Sequence, residues 1–338
     1  MVNQGANTRP RMVVTRTPLR VSFVGGGTDL PAFYEHGYGA VLSTAIDKYI
    51  YVTVKQHGAV FDERIRVTYS KTERVERIEE IENNIARECL RFLDIEYPIY
   101  ISTIGDLPAS TGLGGSSSFA VGLLNALHAY RGERVSAGQL AEEAAYIEID
   151  VLKQPIGKQD QYAAAFGGLN CFCFRPGGAV TVEPQRLANG VLRNLFGHIL
   201  MFWTGHQRDS CDVLAEQKAN TPNKMDSLLR MREQVHELQH QLGNGSYNLE
   251  AFGRILDEGW QMKRQLASTI TTDQIDTWYR VAQEAGAAGG KLCGAGGGGF
   301  LLFIVPRDRH QNVRQALASL REVPVAPEVH GSQILLVE

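Results

Sequence analysis

The sequence predicts an α+β fold built as two packed lobes. Three observations predict it. Residues 12–70 are dominated by strand-patterned runs rich in β-branched and aromatic residues. Residues 225–285 carry three successive stretches of helical period. Glycine-rich segments stand early, in the middle and late in the chain, each beside a strand or helix pattern. The 338 residues exceed one ordinary domain of roughly 100–200, and a 43% hydrophobic content is enough to fill more than one core.

The first strand is "MVVTRTPLRVSFVGG", running into Gly25, Gly26 and Gly27. The second, "AVLSTAIDKYIYVTVKQ", sets Tyr49, Tyr51 and Thr53 on one face and Ile50, Val52 and Val54 on the other. "RIRVTYS" is a third strand, and "ERIEEIENNIARECLRFL" reads as an amphipathic helix through Ile78, Ile81, Ile85, Cys89 and Phe92. "YPIYISTIGDLP" is a strand, followed by a helix from about Ser116 to Tyr130. The next helix spans Ser136 to about Val151 and opens with Ser136 and Gln139 at capping-box spacing. "HILMFWTG" is an apolar strand of the second half. Three helices follow, "KMDSLLRMREQVHELQHQL", "NLEAFGRILDEGWQMKRQL" and "TDQIDTWYRVAQEAG", with Trp260 and Trp278 read as core. The chain then passes through "GGKLCGAGGGG" into the strand "FLLFIV". The expected organisation is a disordered tail at 1–11, an N-terminal lobe at 12–190 and a C-terminal lobe at 191–338.

Composition excludes several function classes. With 34 basic and 37 acidic residues the net charge is -3, so no basic footprint for nucleic acid is present. No apolar run approaches the roughly 20 residues of a membrane helix, and the first residues lack a signal-peptide core. Five scattered cysteines give no disulfide framework; Cys171 and Cys173 lack partners at zinc-ligand spacing and read as buried small hydrophobes. The expected compartment is the cytoplasm.

The segment "DLPASTGLGGSSSFAVG", Asp106–Gly122, carries the clearest chemistry. Glycines let backbone N–H groups converge without a Cβ in the way. The first N–H groups of the following helix lack internal partners, and the helix dipole adds positive charge there. Together they make a phosphate site. An ordinary strand–helix turn would need one capping serine, and this segment has Ser116, Ser117 and Ser118. It is not a Walker A loop, because no lysine follows its glycines. Gly294-x-Gly296-x-x-Gly299 matches the dinucleotide pattern but precedes a strand, so that reading fails.

Three segments, "PLRVSFVGGGTD", "LPASTGLGGSSSFAVGLLNAL" and "KLCGAGGGGFLL", resemble in order and spacing the three motifs of the GHMP kinases. "RTPLRVSFVGGGTDLPAFYEHGYGAVLSTAIDKYIYV" is similar to the branch containing D-glycero-D-manno-heptose 7-phosphate kinases, with fucokinases as near neighbours. The resemblance implies a two-lobed GHMP kinase fold, with a left-handed βαβ unit in the N-terminal lobe and a ferredoxin-like C-terminal lobe. It also implies transfer of the ATP γ-phosphoryl to a small-molecule hydroxyl, with Mg²⁺. A homodimer is compatible with it.

Carried over residue by residue, the resemblance makes Pro108, Gly112, Leu113, Gly114, Gly115, Ser116, Ser117 and Ser118 the ATP phosphate loop. Gly115 takes the place of the family's usual first serine. Ser116, with Ser117 beside it, and Glu148, with Asp150 as a rival, are the Mg²⁺ candidates; a hard cation wants such oxygen donors. Asp160, twelve residues after Glu148, is the candidate base, and Arg20 the cation that would stabilise its charge. Gly26, Gly27, Thr28 and Asp29 would meet the sugar, and Gly296 and Gly297 of the third motif would close on it. A sugar phosphate would need a cationic pocket, for which Lys158, Arg208 after Thr204 and Gly205, Lys153 and Lys291 are candidates. The adenine pocket is expected in "KYIYVTVKQHG" and near Ser70 to Glu76. The implied reaction is anomeric phosphorylation of heptose 7-phosphate, in nucleotide-activated heptose synthesis; the alternative acceptor is fucose or another free hexose.

Overall fold

The computed structural model describes residues 10–207, 210–243 and 247–338. Its strands are β1 (Met12–Val24), β2 (Gly39–Gln56), β3 (Ile65–Thr68), β4 (Thr72–Val75), β5 (Ile99–Gly105), β6 (Leu169–Phe174), β7 (Val180–Pro184), β8 (Ile199–Trp203), β9 (Gly289–Leu292), β10 (Phe300–Ile304), β11 (Arg321–Glu322) and β12 (Gln333–Val337). Its helices are α1 (Pro31–Tyr34), α2 (Asn84–Phe92), α3 (Gly115–Tyr130), α4 (Ala137–Ala145), α5 (Gln159–Phe166), α6 (Val191–Phe196), α7 (Ser210–Asn220), α8 (Met225–Gly243), α9 (Leu249–Lys263), α10 (Asp273–Glu284) and α11 (His310–Ala316).

The first sheet runs β12-β1-β2-β5-β3-β4, with β6 also on β2 and β7 beside β6. β2 is long enough to serve two partners: Gly39–Thr44 pairs with β6 and Ile50–Gln56 with β5. β3 and β5 are parallel, joined through β4 and α2. The second sheet is antiparallel in the order β11-β8-β10-β9. Chain order there is β8, helices, β9, β10, α11, β11, which is the ferredoxin-like arrangement.

Burial explains the strand patterns. β1 alternates from Met12 to Thr17, then is almost wholly buried, because the second lobe covers its other face. Leu19, Val21 and Phe23 join one apolar cluster with Met201, Leu238, Phe252 and Phe300 of that lobe. Their alternate neighbours Arg20 and Ser22 therefore point the other way, where both bond residues of the α5 turn. α3 is buried along nearly its whole length, as expected of a helix apolar all round.

Four expectations need correction. The helix expected across 76–93 begins only at Asn84. The Glu73 carboxylate captures the backbone N–H groups of Glu82 and Asn83, and Asn83 caps the helix by accepting from Ala86 N–H at 2.9 Å. The helix expected to run to Val151 is α-helical only to Ala145, and Tyr146–Val151 is a π-turn with Leu152 N–H bonded five residues back to Ile147. Arg11, placed in the tail, donates its N–H to the Glu338 carbonyl. The segment 191–338 also does not stay in its lobe. After β11 the chain bridges Pro327 to Ile46 and ends as β12 on β1, because β1 still offers an open ladder edge.

Candidate functional site

The site is a cleft of about 410 Å³ lined by both lobes. One wall is the start of α3. Gly112 and Gly114 take the left-handed conformation, at φ 80° and 78°, and turn the loop into the helix. Gly112 must be glycine for a second reason: a Cβ there would stand 2.5 Å from the Cys293 carbonyl oxygen. A Cβ on Gly115 would meet nothing within 4 Å, so the mouth of the helix is open. Free N–H groups and the dipole of a 16-residue helix therefore face the cleft.

Arg20 and Asp160 form the second feature. Arg20 donates through Nε to Asp160 Oδ1 and through Nη2 to Oδ2, both at 2.7 Å, and through Nη1 to the Gly112 carbonyl at 2.8 Å. Burial works against the Arg20 cation, but the Asp160 charge outweighs it and raises its pKa. Asp160 opens the first turn of α5, and Gln159 beside it accepts from Ser22 Oγ at 2.7 Å.

Glu148 is the third feature, carried inward by the π-turn and fully buried. It accepts from Ser116 Oγ at 2.6 Å and from Gln161 Nε2 at 2.7 Å. Burial pushes its carboxyl above the ordinary range, and no basic side chain among the described residues pairs with it. A buried carboxylate with only neutral donors, beside a hydroxyl lining the same cleft, fits a divalent cation. Asp29 is also buried and raised, first by desolvation and then by the Asp160 charge.

Of the sequence candidates, Arg20, Gly26, Gly27, Asp29, Gly112, Gly114, Gly115, Ser116, Ser117, Glu148, Asp160, Lys291 and Gly296 line this cleft. Others are committed elsewhere. Leu113 is in the core, and Ser118 donates to the Pro18 carbonyl at 2.8 Å. Thr28 Oγ1 bonds the carbonyls of Gly25 and Ala40, so it shapes the turn and does not line the cleft. Lys158 is held by Glu142 and the Gly178 carbonyl, away from the cleft. Thr204 bonds the Gly299 carbonyl through its hydroxyl and its N–H. Pro108, Gly205 and Gly297 also lie off the cleft lining, and Gly297 N–H bonds the Ile270 carbonyl. Arg208 lies outside the described residues. No residue of 48–58 or 70–76 lines the cleft. Cys171, Cys173 and Glu183 converge within 4.8 Å away from it, with no fourth zinc donor in the group among the described residues.

Sequence reasoning missed Lys263, Gln159 and Gln161. The signal for Lys263 was present: Phe252, Leu256 and Trp260 make an apolar stripe on α9, and Lys263 continues it one turn on. A lysine on a buried stripe asks for a reason.

Comparison with known proteins agrees with this geometry. Residues 80–168 match the GHMP kinases N-terminal domain and residues 245–322 the GHMP kinases C-terminal domain. The D-glycero-α-D-manno-heptose 7-phosphate kinase of Campylobacter jejuni is 28% identical over 321 residues, 91% of this chain and 93% of that one. The galactokinase of Pyrococcus furiosus is 24% identical over 92% of this chain and 93% of its own. Among solved structures, a D-glycero-D-manno-heptose 1-phosphate kinase from Bacteroides thetaiotaomicron superposes with a TM-score of 0.78 at 24% identity, covering 96% of this chain and 99% of that one. No helix among the described residues is long and apolar enough to cross a membrane. With both domains in place around a glycine-walled cleft, the chain belongs to the GHMP kinases, as a sugar kinase of that family.

Proposed function

We propose that the protein transfers the γ-phosphoryl of ATP to the anomeric hydroxyl of D-glycero-D-manno-heptose 7-phosphate, giving the 1,7-bisphosphate. The observation that carries this reading is the convergence of the α3 N-terminus, the Ser116–Glu148 pair and the Arg20–Asp160 pair on one cleft. Backbone N–H groups of Gly114 to Ser117 would hold the nucleotide phosphates. Ser116 and Glu148 would hold Mg²⁺, which when bound neutralises charge on the phosphates. Asp160 orients the acceptor hydroxyl and takes its proton as the new bond to the γ-phosphorus forms and the bond from that phosphorus to the bridging oxygen of the departing ADP breaks. Arg20 fixes the plane of that carboxylate through two parallel bonds. Asp29 and the Gly26–Gly27 backbone would meet the sugar hydroxyls.

The test is turnover with Mg·ATP against heptose 7-phosphate, mannose 6-phosphate, fucose, galactose and mannose, reading ADP release and locating the new phosphate by ³¹P NMR. Turnover confined to the phosphorylated heptose, with a new anomeric phosphate, supports the reading. Turnover with a free hexose instead refutes the acceptor and leaves the phosphoryl-transfer site in place.

A further inference from the structure

Lys263 and Lys291 line the cleft from the second lobe, one on α9 and one on β9, and each is only 7% exposed. Neither has an ion-pair partner among the described residues. Lys263 donates to the Gly294 carbonyl, and Lys291 to the carbonyls of Ser22 at 2.8 Å and Phe23 at 3.1 Å. An ammonium has three donors, so three of the six remain for a ligand. The nearest cavity behind them, about 10 Å³ and walled by Phe23, Met231 and Trp260, has room for no more than one water. Asp29 and Asp160 stand close enough to favour the Lys263 charge, but neither carboxylate bonds either lysine. Arg20 is itself positive and takes Asp160, and Asp29 accepts the Gly27 N–H.

Buried charges are normally paired, and these two are not. Neutral sugar hydroxyls would leave both ammonium groups without a bonded counter-charge. A phosphate monoester brings two negative charges and three terminal oxygens, which match two cations and three spare donors. Lys291 hangs on the carbonyls that lead into the Gly25–Gly27 turn, the acceptor end of the cleft. We propose that Lys263 and Lys291 form the subsite for a phosphate carried by the acceptor, a role for which the sequence reading offered Lys291 beside Lys153, Lys158 and Arg208, but not Lys263. The choice of acceptor, as distinct from nucleotide, rests on the function proposed above; the anion site itself does not.

The experiment therefore separates the two. With AMP-PNP and Mg²⁺ saturating the nucleotide site, inorganic phosphate is titrated into wild type, Lys263→Gln and Lys263→Met, and binding is read by calorimetry. Lys263→Met keeps the buried stem packed should Lys263→Gln fold poorly. The expected result is phosphate binding in wild type, weakened at least about tenfold in the variants, as loss of a charge-assisted bond implies, with AMP-PNP affinity unchanged. No phosphate binding in wild type, or equal binding in the variants, overturns the subsite. Weakened AMP-PNP binding overturns the acceptor assignment in favour of a nucleotide contact. Where the sugar panel yields no heptose turnover but Lys263→Met still loses phosphate, the subsite stands and the heptose reading falls.

Discussion

Asp160→Asn tests the catalytic reading and the packing of the site at once. Asp160 and Arg20 meet through two bonds of 2.7 Å, with the arginine side chain 6% exposed and the aspartate 23%. Asparagine keeps one oxygen but turns an NH₂ group towards a guanidinium that can only donate. At least one bond is lost, and Arg20 keeps the Gly112 carbonyl and at most the asparagine oxygen, with no counter-charge bonded to it. Breaking a buried pair on one side costs about 3–5 kcal/mol, and the partial exposure of Asp160 points to about 3. For a chain of 338 residues that is a fall in Tm of about 4 °C. Loss of a general base lowers kcat by about 10²–10⁴. The two effects are separable by adding Arg20→Met. The double variant should regain part of the Tm, because no unpaired charge is left, while kcat stays low. Thermal melts, steady-state kinetics and nucleotide binding on the four proteins make the assay. An Asp160→Asn enzyme with more than a tenth of wild-type kcat would refute the base assignment. An unchanged Tm would refute the claim that this pair satisfies Arg20.

Three further outcomes are expected. Glu148→Gln should raise the Mg²⁺ concentration for half-maximal activity at least about tenfold while leaving Tm unchanged or higher, since burial already disfavours its charge; a magnesium titration checks it. Gly294→Ala should lose about 2–4 kcal/mol in a denaturant melt, because its Cβ would stand 2.3 Å from Gly112 Cα in a left-handed conformation. Burial pushes Lys263 down to about 8 and Lys291 to about 7 from the ordinary 10.5, so between pH 7 and 10.5 the unfolded chain holds protons the folded one has released. Stability of the ligand-free protein should therefore gain a rising contribution across that window, with the full penalty present below pH 7. A Lys263→Met, Lys291→Met chain should show a flatter slope in melts at pH 6, 8 and 10.

Much of this was legible in the residues. Alternation gave β1 and β2, and the glycine–serine run gave the open start of α3, because those signals lie within a few residues of each other. What escaped depends on distant partners. The late start of α2 is set by Glu73 reaching two backbone N–H groups nine and ten residues on. Lys158 looked like a phosphate ligand by its place beside Asp160, and Glu142, sixteen residues away, holds it instead. The π-turn that carries Glu148 inward has no composition of its own. β12 is a five-residue strand, apolar from Ile334 to Val337, whose edge position nothing local announces.

That return of the chain to β1 ties the lobes together at two places, 184–199 and 322–333. The second tie is itself sewn to β2, through Asp47 N–H to the Ala326 carbonyl at 2.9 Å and Glu328 N–H to the Ala45 carbonyl at 3.0 Å. A body joined to another at one point can swivel freely; joined at two, it can only rotate about the line between them. Any breathing of the cleft is thereby confined to one hinge axis. Lys291 adds a further link on the cleft side, since its ammonium on β9 holds the Ser22 and Phe23 carbonyls of β1.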